Sequence, residues 1–261
     1  DALDLNDCLA IDLWAMQRMQ DLQAQVLKHY DDYQLHPVFQ KIHHFCSQDM
    51  GAFYLDVIKD RLYTAQTTGQ ARRSAQTVMH HILNALVRLL APIVTFTANE
   101  IWQAMGHERH ILFEQWYEFP KMTTHNPIST EQWQLLSEVR KLVSKELEQL
   151  RVAGQIGGSL DADVTIYVDD ELHKQLAPFA DELRFVLITS KAGLRPLSET
   201  EQGTVSIVDH ALRIEAIQAQ GRKCERCWHI QDSVGLDSQH PALCHRCVIN
   251  IEGSGEKRRV A

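Results

Sequence analysis

The sequence predicts a mainly α chain with an α+β portion: an antiparallel helical bundle, a small α/β domain, and a C-terminal module built on four cysteines. Three observations carry this. Apolar residues recur at helical spacing through most of the first 150 positions, and the period shortens to two beyond Gly154, Gly157 and Gly158. Then Cys224-Glu-Arg-Cys227 is followed by Cys244-His-Arg-Cys247. The expected boundaries are 1–127 for the bundle with an aromatic strap, 128–221 for a long helix and the α/β domain, and 222–261 for the cysteine module.

A first helix is expected over 4–33, capped by Asp7 or Asn6, with Leu9, Leu13, Met16, Leu22, Val26, Leu27 and Tyr30 on its buried face. Pro37 suits the first turn of a second helix, whose stripe runs Val38, Ile42, Phe45, Cys46, Phe53, Leu55, Ile58 and Leu62. Gly51 inside it suggests close packing against a neighbour. A third helix, 70–91, buries Val78, Ile82, Leu86, Leu89 and Leu90 until Pro92 ends it, and a shorter one follows through Phe96, Ile101 and Trp102. Phe113, Trp116, Tyr117 and Phe119 mark an irregular strap over the bundle. A fifth helix over 129–153 starts at the capping pair Ser129/Thr130 and stops at the glycines.

Alternation at Val164, Ile166 and Val168 reads as a strand, and the run Phe185-Val-Leu-Ile188 as a second, buried one. Val205, Ile207 and Val208, then Leu212, Ile214 and Ala216, continue the sheet, with a helix over 171–183 broken at Pro178. Residues 218–221 form the hinge into the last module.

Each Cys-x-x-Cys pair sets two thiolates on one tight turn, and two such turns close a tetrahedron around a single structural Zn²⁺. Two disulfides or a redox pair are the competing readings. No signal peptide is present to favour the first, and a redox motif follows a strand once rather than bracketing a loop. Around the ligands lie Arg222, Lys223, Arg226, Trp228, Arg246, Lys257, Arg258 and Arg259. Cations beside an aromatic ring suit nucleic acid.

The net charge of −8 argues against a general polyanion binder. Residues 222–261, with seven Lys and Arg against five Asp and Glu, are the basic exception. No apolar run approaches the roughly 18 residues of a membrane span. The chain starts at Asp1 with no targeting pattern and reads as a piece of something longer. No nucleophile–base set assembles. Gly154-Gln-Ile-Gly157-Gly158-Ser159 follows a helix and precedes a strand, the reverse of a phosphate-binding loop. Asp161, Asp163, Asp169 and Asp170 read as turn carboxylates. Lys59, Arg61, Arg72 and Arg73 form a basic group near Asp56 and Asp60, open to RNA contact or to structural pairing.

Tyr54-Leu-Asp-Val-Ile-Lys-Asp-Arg-Leu-Tyr-Thr64, Ala71-Arg-Arg-Ser-Ala-Gln-Thr77 and Ala91-Pro-Ile-Val-Thr-Phe-Thr-Ala-Asn-Glu-Ile-Trp102 resemble the anticodon-binding bundle of class I aminoacyl-tRNA synthetases. Ile156-Gly-Gly-Ser-Leu-Asp-Ala-Asp-Val-Thr-Ile-Tyr167, Lys223-Cys-Glu-Arg-Cys-Trp-His229, Cys244-His-Arg-Cys247 and Gly255-Glu-Lys-Arg-Arg259 resemble the C-terminal part of the bacterial-type isoleucyl enzymes. That family's catalytic signatures, His-x-Gly-His and Lys-Met-Ser-Lys-Ser, are absent; Lys121-Met122-Thr123-Thr124 is a superficial echo.

The resemblance implies a tRNA-binding portion of a cytoplasmic, monomeric, ATP-dependent ligase. Its partner is tRNA(Ile), while ATP and isoleucine are bound by a catalytic domain missing here, so this chain alone is non-catalytic. The implied tRNA contacts are Lys59, Arg61, Arg72, Arg73, Arg226, Trp228, Arg246, Arg258 and Arg259. The implied metal ligands are Cys224, Cys227, Cys244 and Cys247. The rival readings are the zinc-finger region of a DNA-repair glycosylase, which Asp1 in place of an N-terminal proline disfavours, and a zinc-stabilised interaction module without nucleic acid.

Overall fold

The first long helix begins later than its apolar pattern suggests. In the computed structural model, which describes residues 2–122, 125–200, 203–207 and 210–261, α1 spans Ala10–Asp31. Neither Asn6 nor Asp7 caps it. Both lie in a short 3₁₀ turn, Leu5–Asp7, capped by Asp4, whose carboxylate accepts from the Asn6 N–H. The chain divides into two units, Asp1–Ile58 with Arg72–Asn126, and Lys59–Ala71 with Pro127–Ala261.

The first unit is helical. α2 (Leu35–His44) passes into a π-helical stretch, Phe45–Tyr54, and then α3 (Leu55–Thr64), whose residues from Lys59 onward belong to the second unit. The wider π turn moves the apolar register: Phe45, Met50, Tyr54, Val57 and Ile58 are buried, whereas Leu55 from the expected stripe is exposed. The five-residue step from Phe45 to Met50 is what an i→i+5 turn requires, and a 3.6-residue template misassigns everything after it. Among the described residues, a Cβ added at Gly51 would meet only the Cys46 carbonyl oxygen of its own turn, at 3.2 Å, and no neighbouring element.

α4 (Gln70–Leu90) and α5 (Thr95–Ala104) follow as expected, on either side of Pro92. A buried polar knot joins α1, the π stretch and α4. Asp12 accepts from Tyr54 Oη at 2.7 Å and from Ser74 Oγ, which itself accepts from the Leu9 N–H. Buried carboxylates need such partners. The strap lies on this unit: Trp116 stacks on Tyr30, Gln23 donates to the Tyr117 carbonyl, and Arg88 sits over Trp102 and Tyr117. Burial pushes the Tyr30 phenol up to about 12.

The second unit starts its long helix, α6 (Thr130–Val152), at a complete capping box. Ser129 Oγ accepts from the Gln132 N–H, and Gln132 accepts from the Ser129 N–H. Trp133, Leu136, Val139, Val143 and Leu147 bury one face. Gly154, at φ +71°, ends the helix in the left-handed conformation that glycine takes without a Cβ clash. The glycine turn then closes on Asp161, which accepts from the Gly157 and Gly158 N–H groups. It is a helix stop.

β1 (Ala162–Val168) shows the expected alternation. α7 (Asp170–Leu176), capped by Asp169, leads through a 3₁₀ turn to α8 (Leu183–Leu187). Phe185, Val186 and Leu187 are therefore helical, not a strand, and Ile188 ends them at φ +58°. A short run buried on every side has no period to separate helix from strand. The strand parallel to β1 is β2 (Lys191–Pro196), an edge segment whose mixed residues carry no alternation. β3 (Val205–Ile207) and β4 (His210–Gln218) complete the order β2-β1-β4-β3, with β1–β4 and β3–β4 antiparallel. Val208 of the expected third strand, Thr123 and Thr124 of the Lys-Met-Thr-Thr echo, and Asp1 lie outside the described residues. Among the described residues no helix is long and apolar enough to cross a membrane.

Replacing Ser129 by Ala removes the cap of α6 and is expected to cost about 1 kcal/mol of stability. Chemical denaturation checks this, and an unchanged midpoint would show that tertiary packing alone sets the start of α6.

Candidate metal centre and nucleic-acid interface

The cysteine module is a hairpin followed by a short helix. β5 (Arg222–Lys223) pairs antiparallel with β6 (Ile230–Gln231), and the turn between them carries Cys224 and Cys227. Cys244 is the N-cap of α9 (His245–Ile251), and Cys247 lies in its first turn. The four Sγ atoms all fall within 4.8 Å of one another, and all four residues are buried. A tetrahedron of about 2.3 Å Zn–S bonds needs S···S edges of about 3.8 Å; Cys227 and Cys244 Sγ are 3.7 Å apart.

Chemistry points the same way. Hydrogen bonds from Cys227 and Cys247 pull the Cys244 thiol down, while contacts with Cys227 and Cys244 push Cys247 up. Four thiols this close cannot all ionise without a cation among them. Backbone bonding holds the sulfurs in place, in the manner of a metal knuckle. The Cys244 N–H donates to Cys224 Sγ at 3.3 Å, and the Trp228 N–H donates to the Cys224 carbonyl at 2.9 Å, closing the turn between the first two ligands. The donor set fits one structural Zn²⁺, which would be held by Cys224, Cys227, Cys244 and Cys247 with no open position for chemistry.

Beside this centre lies a largely buried ion network that the spacing of charges does not reveal. Arg246, between two of the ligands, grips Asp60 with both Nη atoms at 2.7 and 2.8 Å. Arg258 Nη2 donates to Asp60 at 2.7 Å, its Nε donates to Glu256 at 2.8 Å, and its guanidinium lies over the Phe185 ring. Burial alone would raise the Asp60 carboxyl, but Arg246 and Arg258 outweigh it and hold the group well below the usual carboxylate range. Glu256 is also lowered: burial opposes it, and Arg258 and Arg246 prevail. Further along, Glu182 accepts from the backbone N–H groups of Arg259, Val260 and Ala261.

Three of the expected RNA contacts lie largely inside the protein. Arg61 is 1% exposed and donates to the Ala71 carbonyl. Arg246 and Arg258, with side chains 11% and 3% exposed, are paired with Asp60 and Glu256, and Arg258 Nη1 donates to the Ala261 carbonyl. Reaching a phosphate would mean breaking buried ion pairs. Lys59, Arg226 and Arg259 are exposed, and Trp228 is 61% exposed. Arg72 and Arg73 are half-buried in the first unit, Arg73 donating to Gln76. Asp60, Glu256, Phe185 and Glu182 are partners that sequence reasoning does not find. Nothing in the chain ties their acidic or aromatic character to Arg246 and Arg258, and Asp60, Glu182 and Phe185 lie far from the cysteines.

Asp60→Asn leaves two buried guanidiniums facing a neutral amide, and should destabilise the second unit by about 3–5 kcal/mol. Because the folded carboxyl is lowered, its contribution is complete above the unfolded value of about 3.9 and is lost as pH falls from there through the folded value. The variant should therefore show a flatter acid limb in its stability–pH curve, and an acid limb as steep as the parent's would remove Asp60 from that role. Zinc chelation should release hydrogen-exchange protection at the Cys244 and Trp228 amides; retained protection would mean that the hairpin folds without metal.

The model of the anticodon-binding domain of tRNA ligase matches residues 12–166, and that of the zinc finger found in FPG and IleRS matches residues 221–249. The chain is 46% identical over 258 residues to the isoleucine–tRNA ligase of Teredinibacter turnerae, covering 98% of this chain and 28% of the relative. It is 44% identical to those of Saccharophagus degradans and Psychrobacter arcticus, covering 100% of this chain in each case and 28% and 29% of the relatives. The chain thus spans somewhat over a quarter of the length of these relatives. The first match takes in most of the helical unit and continues through α6 into β1, the second carries the four-cysteine centre, and this chain belongs to the family of tRNA-ligase anticodon-binding domains, with a zinc finger of the FPG and IleRS type at its C-terminal end.

Proposed function

We propose that this chain is the tRNA-recognising portion of an isoleucine–tRNA ligase and that it binds the anticodon arm of tRNA(Ile). The observation that carries the reading is the co-occurrence, in one chain and in this order, of the anticodon-binding match and the zinc-finger match, along a length that is similar throughout to isoleucine–tRNA ligases. Loop bases expose faces and edges that a duplex hides, so a protein reads them by stacking and hydrogen bonding. Trp228 is the stacking residue in this reading, with Lys59, Arg72, Arg73, Arg226 and Arg259 pairing with phosphates. Arg61, Arg246 and Arg258 hold the surface together instead.

In the same reading the three functional segments are 1–127, 128–221 and 222–261. The parent enzyme is a cytoplasmic monomer that joins isoleucine to tRNA(Ile) with ATP. ATP and isoleucine are handled by residues outside this chain, which contributes binding and orientation. Zinc contributes by keeping the hairpin and α9 in register.

Binding of a labelled tRNA with an isoleucine anticodon tests this. Affinity should fall when the anticodon is changed, and fall about tenfold or more in a Cys244→Ser/Cys247→Ser variant that has lost its zinc, as expected when at least one stacked base is released. Anticodon-independent binding would reject recognition, a preference for damaged duplex DNA would favour the glycosylase reading, and no binding to either would favour an interaction module.

A further inference from the structure

Tyr63 lies in the last turn of α3 with 74% of its surface exposed, and among the described residues its ring and hydroxyl have no hydrogen-bond or ring partner. A second exposed ring stands nearby. Trp228 holds φ +64°, a left-handed conformation that is unfavourable for a bulky L residue and turns the indole out of the zinc knuckle.

One side chain links the two. Arg226 Nη2 is 3.4 Å from both the Tyr63 and the Thr64 carbonyl oxygens. Arg226 is two residues before Trp228, a separation of at most about 7 Å along the chain. The end of α3 is further fastened to the module by Asp60 on Arg246 and Arg258, and by Gln66 Nε2 donating to the Gly253 carbonyl at 3.3 Å. Gly255, at φ +78°, lets the tail pass Gln66; a Cβ there would come within 2.7 Å of Gln66 Oε1. The rings therefore belong to one braced surface rather than to two independent loops.

Charge identifies what that surface suits. Lys59, one helical turn before Tyr63, is exposed, as is Arg226, which bonds the Tyr63 carbonyl. Glu225 is the exposed carboxylate beside Arg226, and the segment 222–261 remains net positive. Two outward aromatic rings among cations match a single strand whose bases are splayed and whose phosphates run alongside.

We propose that Tyr63 stacks on one unpaired base of an RNA loop while Trp228 takes another, so that the end of α3 and the zinc knuckle form a single two-ring reading surface. This rests on the RNA-binding reading above and adds a residue to it. Tyr63 offers a π-face to any base, and its hydroxyl can also donate to a base edge or phosphate oxygen.

The test is titration of the zinc-loaded chain with an anticodon stem-loop RNA carrying 2-aminopurine at single loop positions. Tyr63→Leu should weaken binding about tenfold or more, and Tyr63→Phe should retain most of the affinity. The loop position whose fluorescence quenching disappears in Tyr63→Leu should differ from the one that loses it in Trp228→Leu. Parent-like affinity in Tyr63→Leu, with Trp228→Leu weakened, overturns the proposal and leaves RNA binding standing. Weakened binding with quenching intact at every loop position also overturns it, since the ring would then not be stacked. Failure of the unaltered chain to bind the stem-loop overturns the RNA reading and this proposal together.

Discussion

Asp60 is the residue on which the second unit turns. Its carboxylate lies on α3, 186 and 198 positions before the two arginines that hold it, and it takes three charge-assisted bonds from Arg246 and Arg258. Two buried cations would be costly without it, and a buried carboxylate would be costly without them. Because Arg246 sits between two cysteine ligands, this ion pair ties metal-stapled backbone to the end of α3. Burying charge here brings no large gain in stability; its effect is to make one arrangement of these segments far better than any other.

The zinc centre and the ion network divide the labour. Four thiolates around one dication fix the hairpin of β5 and β6 against α9, a short-range constraint that small hydrophobic contacts from Val234 and Leu243 could not supply. The ion network then extends that rigidity outward, through Phe185 beneath Arg258 and Glu182 beneath the last backbone amides. What remains exposed after both have taken their partners is the set of groups available to nucleic acid.

The first unit uses a different solution. Its helices are held by apolar faces and by the knot at Asp12, Tyr54 and Ser74, with no metal implied. The π stretch is the departure from regularity, and it matters because it lets Tyr54 reach Asp12 while Phe45 and Met50 remain in the core. The aromatic strap closes this unit by stacking and cation–π contact, which explains why an irregular segment is so rich in rings.

Features with local signals are legible in the chain alone. Two Cys-x-x-Cys turns name their metal, Ser129 and Gln132 mark the start of α6, Gly154 marks its end, and the alternation at Val164, Ile166 and Val168 marks β1. Helix α8 and strand β2 leave no such mark, because an apolar run buried on all sides and an edge strand of mixed residues both lack a period. The stripe of the second helix cannot be read past Phe45, since a π turn changes the repeat without changing composition. The fates of the arginines belong to the tertiary structure. Arg246 and Arg226 look alike in sequence, each lying between the cysteines of a pair. One is largely enclosed and paired with Asp60 and the other is exposed beside Tyr63, because charge and residue type are written in the chain while the distant partner that pairs with a charge is brought up only by folding.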